Sequence, residues 1–335
     1  MAAMMIDQFL NYLQYERNRS ERTVKAYGDD LRSFEAFFRN LDDQLSWESV
    51  DSDVIRSWME SMMDKGNTAT SIKRRLSAVR SLYRFALSRG LVDADPAHAV
   101  AGPKRKRLLP QFVREQDMDR LLDDQEWTED FADVRARTII LTFYSTGIRL
   151  SELTGLDDAA VDLQECQLKV TGKGDKQRIV PFGNELAEAL REYQKVRNSS
   201  VARSDDALFV TDKGQRMTSP QVRELVKQHL SRVTTMKKRS PHVLRHSFAT
   251  AMLNNEAGIE SVKKLLGHAR LSTTEIYTHT TFEQLRRAYD KAQPRETGER
   301  PERPRAAKTE KRTEQSSRQD ALENKNYHLL STLKK

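Results

Sequence analysis

Cysteine is almost missing from this chain. Cys166 stands alone among 335 residues, which excludes an internal disulfide and a cysteine-built zinc cage within one chain. Long apolar runs are missing too: the longest, near Thr138–Tyr144, falls far short of the roughly 20 residues a membrane helix needs. Met1–Leu10 carries neither a basic n-region nor a continuous apolar h-region, so no secretory signal is visible. The chain reads as cytoplasmic, with no membrane partner. Bulk charge of one sign is lacking as well. The net charge of +8 divides into −1 over Met1–Pro103, +4 over Lys104–Arg107, +1 over Leu108–Gln293 and +4 over Pro294–Lys335. Any nucleic-acid surface must therefore come from local patches.

What is present is the mixture of a folded protein, 32% charged and 37% hydrophobic, long enough for about two domains. Apolar residues Phe9, Leu10, Leu13 and then Tyr27, Leu31, Phe34 and Phe38 recur at threes and fours and predict two helices, with Ser20 as the N-cap of the second. A third is expected around Asp53–Met63 and a fourth over Ala69–Arg89, stopped by Gly90. On the fourth, Ile72, Leu76, Val79, Tyr83 and Ala86 form one face, and Lys73, Ser77, Arg80 and Arg84 the adjacent stripe. No acid occurs between Gly66 and Val92. A merely solvated helix mixes signs for i,i+4 pairing, so this stripe reads as a DNA contact, with Lys73, Arg80 and Arg84 as its cations. The spacing divides the chain into a helical domain at 1–95 and a proline-framed basic linker at 96–110, which carries Lys104, Arg105, Lys106 and Arg107. A second domain follows at 111–293, then a disordered basic tail at 294–335, whose composition cannot form a core.

The second domain is expected to begin with helices at Gln116–Asp124 and Phe131–Ser145, the latter halted by Gly147. Gln167–Thr171 and Arg178–Pro181 flank the glycine-rich turn Gly172-Lys173-Gly174-Asp175 as a hairpin. Further helices are expected at Asn184–Asn198, Ser219–Ser231, Pro241–Asn254 and Ile259–Leu266. Several of these segments carry phosphate-binding or nucleophilic side chains. Arg149 follows the Gly147 stop. Lys173 tips the hairpin. Ser240-Pro241 opens a helix whose first turn carries His242 and Arg245 at i,i+3, where free backbone N–H groups already favour a phosphate. His268 follows a helix end at Gly267. Ser272 and Glu275 form a capping box that puts Tyr277 in a helix's second turn. Taken singly, each has an ordinary structural use.

In order, spacing and flanking residues, the combination resembles the active site of the tyrosine recombinases, closest to the bacterial Xer type and its C-type subclass. The matching phrases are Thr146-Gly147-Ile148-Arg149-Leu150-Ser151-Glu152-Leu153, Gly172-Lys173-Gly174-Asp175-Lys176, His242-Val243-Leu244-Arg245-His246-Ser247, Leu265-Leu266-Gly267-His268 and Ser272-Thr273-Thr274-Glu275-Ile276-Tyr277-Thr278-His279. The resemblance covers about Ile6–Gln293. It implies a mainly α fold with a small β-sheet, in which a four-helix SAM-like core-binding domain and an α/β catalytic domain form a C-shaped DNA clamp. It also implies metal-independent and cofactor-independent strand transfer. Tyr277 would attack the scissile phosphorus to give a 3′-phosphotyrosine, and Arg149 and Arg245 would clamp the nonbridging oxygens. His268 would bond the phosphate, His242 would assist proton transfer, and Lys173 would protonate the leaving 5′-oxygen. The expected partners are a specific double-stranded DNA site, three further protomers in a homo- or hetero-tetramer with a second Xer-type recombinase, and a DNA-translocating septal activator. The terminal segment Thr281–Gln293 would dock Leu285 and Ala288 on a neighbouring protomer. The implied role is chromosome-dimer resolution at cell division, through a Holliday junction.

Three other readings share parts of this pattern. A metal hydrolase could use the i,i+4 pair His242 and His246, but the intervening residues lack the zinc-protease glutamate and place Arg245 on that turn. A non-catalytic DNA-binding protein would lack one of the six residues. An integrase of a mobile element is the runner-up, disfavoured because the chain starts directly with the core-binding helices.

Overall fold

The computed structural model describes residues 2–104, 111–124, 127–172, 175–267 and 279–295. The chain forms two compact units, Met1–Leu108 and Leu109–Lys335. In the first, α1 (Ala2–Asn11) runs into a wide π-helical turn at Tyr12–Glu16, followed by α2 (Glu21–Leu41), α3 (Ser52–Asp64) and α4 (Ala69–Ser88). Caps follow local chemistry. The Asp51 carboxylate accepts from the N–H groups of Asp53 and Val54, both at 2.9 Å, and Thr68 Oγ1 accepts from Ser71 N–H at 3.2 Å. Ser20 stands at the N-cap of α2, but its hydroxyl meets that of Thr23 at 2.9 Å and leaves the backbone uncapped. The expected apolar face of α4 is buried from Ile72 to Ala86 in a core with Phe34, Phe38, Trp47 and Trp58. Tyr83 donates its hydroxyl to Trp47 O at 3.0 Å. Arg74 offers a two-pronged fork to the buried Asp30, supplying the counter-charge that a buried carboxylate needs.

The stretch expected as linker begins inside this unit. Ala97 and Val100 lie in its core, and Arg80 donates to the carbonyl oxygens of both, at 3.1 Å to Ala97. Two buried apolar side chains and two satisfied carbonyls thus tie residues 97–100 to α4.

The second unit comprises α5 (Glu115–Leu122), α6 (Phe131–Thr146), the short α7 (Leu150–Thr154), strands β1 (Val161–Asp162), β2 (Gln167–Thr171) and β3 (Gln177–Pro181), α8 (Asn184–Ser200), α9 (Ser219–Val233), α10 (Pro241–Asn254), α11 (Ile259–Leu266) and α12 (His279–Ala292). The sheet is antiparallel in the order β1-β2-β3, so the expected hairpin is present. α7 and β1 are short additions with too few residues to show a period. From Thr138 to Thr146 every residue of α6 is buried, the hydroxyls of Thr138, Thr142 and Thr146 each donating to the carbonyl one turn earlier; it packs on α8 and α10.

Two expectations about the C-terminus change. Leu285 and Tyr289 of α12 pack inside their own chain, against Phe248, Met252, Val262, Leu265 and Leu266, so Leu285 does not face outward for a neighbouring protomer. The ordered domain also runs past Gln293. Arg295, only 7% exposed, donates forks to Glu185 (2.9 and 2.6 Å) and Asp123 (2.9 and 2.5 Å) and a further bond to Asp119 at 3.2 Å. Three carboxylates on α5, just beyond it and on α8 hold the start of the expected tail; the remainder of 294–335 lies outside the described residues.

Candidate active site

The site grows from the stop of α6. Gly147 sits at φ +61°, and a Cβ there would lie 2.4 Å from Phe248 Cδ1, so only glycine fits both the turn and the packing. The turn makes Arg149 the N-cap of α7. Glu152, one turn on, accepts the Arg149 backbone N–H at 2.7 Å and its Nη1–H at 2.8 Å, while Arg149 Nη2 donates to Gly267 O at 2.9 Å.

Arg245 comes from the first turns of α10, behind Pro241 at the helix start. It donates Nη1–H to Gly147 O and Nη2–H to Leu266 O, both at 2.6 Å. A third arginine, which sequence reasoning passed over, completes the cluster. Arg178 on β3 grips Glu152 in a fork at 2.7 and 2.9 Å and donates Nε–H to Leu265 O at 3.0 Å. Leu265, Leu266 and Gly267 end α11, so three successive carbonyls at that helix C-terminus each receive one arginine. The negative end of the helix dipole and its unsatisfied carbonyls are met by cations.

The electrostatics follow from this packing. Burial alone would raise the Glu152 carboxyl, but the hydrogen bond and charge of Arg178, with the Arg149 bonds, hold it down at about 2. Burial, and then the charge of Arg149, push Arg245 down to about 9 despite Glu152, which leaves it a cation at neutral pH. Arg149 and Arg245 each spend two of five N–H donors on these described groups. Arg149 stays partly open, its side chain 37% exposed.

His242 is exposed one turn before His246, with the two Nε2 atoms 3.2 Å apart. Of the remaining expected catalytic residues, Lys173, His268 and Tyr277 lie outside the described residues, as do Arg105, Lys106 and Arg107. Their described neighbours border the cluster: a Cβ on Gly172 would lie 3.4 Å from Glu152 Oε1, and Gly267, directly before His268, is bonded by Arg149. Among the expected DNA contacts, Arg84 and Lys104 are exposed and Lys73 is half-buried. Arg80 is occupied with Ala97 and Val100. Tyr289 on α12, the next tyrosine after Tyr277, is buried and donates its hydroxyl to Ser145 O at 3.0 Å.

Comparison with known proteins yields concordant matches. The phage integrase family matches residues 111–284, and the phage integrase N-terminal SAM-like domain matches residues 6–90. The tyrosine recombinase XerC of Chlorobaculum tepidum is 41% identical over 316 residues, covering 87% of this chain and 94% of that protein. The XerC of Thermodesulfovibrio yellowstonii is 37% identical, covering 86% of this chain and 96% of its own. Among solved structures, the XerH site-specific recombinase bound to palindromic difH substrate, a post-cleavage complex, matches with a TM-score of 0.63 at 20% identity, over 85% of this chain and 94% of that one. That last likeness is one of fold.

Proposed function

Since this chain belongs to the phage integrase family of tyrosine recombinases, enzymes that cut and rejoin DNA without a metal ion, we propose that it exchanges strands at a specific double-stranded DNA site through a 3′-phosphotyrosine. The observation that carries the reading is the convergence of Arg149 and Arg245 on adjacent carbonyls of α11. Two guanidinium groups from elements far apart in sequence are held there by main-chain carbonyls.

The chemistry follows from charge. As the Tyr277 oxygen adds to phosphorus, negative charge grows on the nonbridging oxygens, and Arg149 and Arg245 offer planar forks preorganised to receive it. His268 adds a hydrogen bond to the phosphate, and His242 takes part in proton transfer near the nucleophile. The bond from phosphorus to the 5′-oxygen breaks, and Lys173 gives that oxygen its proton. The phosphotyrosine keeps the energy of the broken ester, so a 5′-hydroxyl from another strand reverses the step and exchanges strands. On the first unit, Lys73 and Arg84, with Lys104, Arg105, Lys106 and Arg107 beyond, neutralise backbone phosphates. Arg80 contributes by holding the approach to that basic run.

Relatives named XerC at 36–41% identity over most of the chain support chromosome-dimer resolution as the biological role. In this role four protomers, with or without a second Xer-type recombinase, act in the cytoplasm through a Holliday junction under a DNA-translocating septal activator.

The reading is tested by incubating the full-length protein with a random-sequence duplex pool in EDTA, denaturing it, and recovering covalently attached DNA. One enriched sequence bearing protein on its 3′ end is expected. Attachment that requires added Mg²⁺, or none at all, contradicts the proposal.

A further inference from the structure

We infer that Arg178 is a positioning residue for strand cleavage, holding Glu152 and the end of α11 in the arrangement that fixes Arg149. The inference rests on the cleavage reading above. Burial along β3 alternates, and Arg178 takes an inward position beside Val180 while Ile179 faces out. That inward parity ordinarily takes an aliphatic side chain. A guanidinium is retained there only if its charge and donors are matched.

They are matched by two partners. Glu152 takes the fork, and Leu265 O takes Nε–H. Glycines keep the space: a Cβ on Gly267, itself at φ +63°, would stand 3.1 Å from Cζ, Nε and Nη1 of Arg178. A chain of contacts therefore runs from Arg178 to Glu152, from Glu152 to Arg149, and from Arg149 to Gly267 O. The Arg178 side chain is 6% exposed, so it acts through these neighbours and not on DNA.

The cations facing Glu152 are Arg149 at the start of α7, Arg178 on β3 and Arg245 on α10. Arg178 supplies the fork that outweighs burial. Without it, Glu152 is a buried carboxyl with weaker compensation. It takes up a proton closer to neutrality, and Arg149 loses the acceptor that aims it.

The test uses full-length protein and the duplex enriched by covalent capture with the wild type. Single-turnover cleavage and DNA affinity are measured from about pH 5 to about pH 9, the span over which a raised carboxyl and imidazoles titrate. The variants are Arg178→Lys, Arg178→Met and the double variant Arg178→Met with Glu152→Gln. We expect Arg178→Met to cleave about 10²-fold more slowly, the scale of a small misplacement of a clamp residue, with affinity changed only a few-fold. Its rate should rise with pH through an ionisation absent from the wild type, and the double variant should be slow without that ionisation. If Arg178→Met does not fold, judged by thermal melting, Arg178→Lys is read in the same assay; it keeps the charge without the fork and should be slowed less, with the same extra ionisation. Wild-type rates in the variants overturn the inference, as does slowing with no new pH dependence. A wild type that never attaches to DNA instead overturns the cleavage reading itself.

Discussion

Replacing Glu152 by Gln removes one charge from a cluster of three arginines, and the consequence can be sized. The carboxyl moves from an ordinary 4.5 to about 2 in the folded chain. That depression contributes stability which is fully present above the unfolded value and is lost as pH falls through the folded one. Each unit is worth about 1.4 kcal/mol, so the ionised group contributes about 3 kcal/mol at pH 7 and about half of that near pH 3. Urea unfolding of the second unit, followed through Trp127, should give a gap of that size between wild type and Glu152→Gln at pH 7, narrowing steadily as pH approaches 3. The amide keeps the shape, so packing loss cannot imitate the trend. A gap that stays constant with pH would show that Glu152 is not held ionised by Arg178 and Arg149, and the electrostatic account of the site would fall.

Other outcomes are expected elsewhere. Truncation after Gln293 should cost about 2 kcal/mol of stability, because Arg295 leaves three carboxylates without their shared cation while Asp119 and Asp123 keep access to water; truncation after Arg295 should cost nothing in the same unfolding assay, and equal effects would contradict the latch. Replacing Lys104, Arg105, Lys106 and Arg107 with alanine should flatten the log–log salt dependence of DNA binding by about 3 to 4, at about 0.9 for each phosphate released; an unchanged slope means that the basic run does not touch DNA. A 5′-bridging sulfur should restore cleavage by Lys173→Ala by roughly 10²-fold or more, since a thiolate leaves without a proton. It should not rescue Arg149→Ala or Arg245→Ala, which act on nonbridging oxygens. Equal defects on both substrates would remove Lys173 from the role of acid.

Local signals carried most of the fold. The Ser240-Pro241 start and the Gly267 stop place α10 and α11 as observed, and the face Ile72–Ala86 of α4 is the buried one. The motif around Arg149 and that around Arg245 meet in space, where Arg245 bonds Gly147 O and both arginines bond the end of α11. What the sequence concealed was long-range. Arg245 reaches a carbonyl 98 residues away and Arg178 one 87 residues away, and no local pattern encodes such pairs. A five-residue strand fixes side-chain parity weakly, since a slip of one residue exchanges its faces, so nothing in the sequence singled out Arg178. Arg80 sat in a stripe of cations and gave no sign that Ala97 and Val100 would claim it. Arg295 lay in a segment of disordered composition, and its partners stand 110 to 176 residues upstream.

The central claim, a covalent bond from Tyr277 to DNA, is tested most directly by digesting the trapped complex and locating the attached nucleotide by mass spectrometry. The account predicts the adduct on the peptide containing Tyr277, and its loss in Tyr277→Phe with DNA binding unchanged. An adduct on Tyr289, whose hydroxyl is buried against Ser145 O, or on any other side chain, would contradict it.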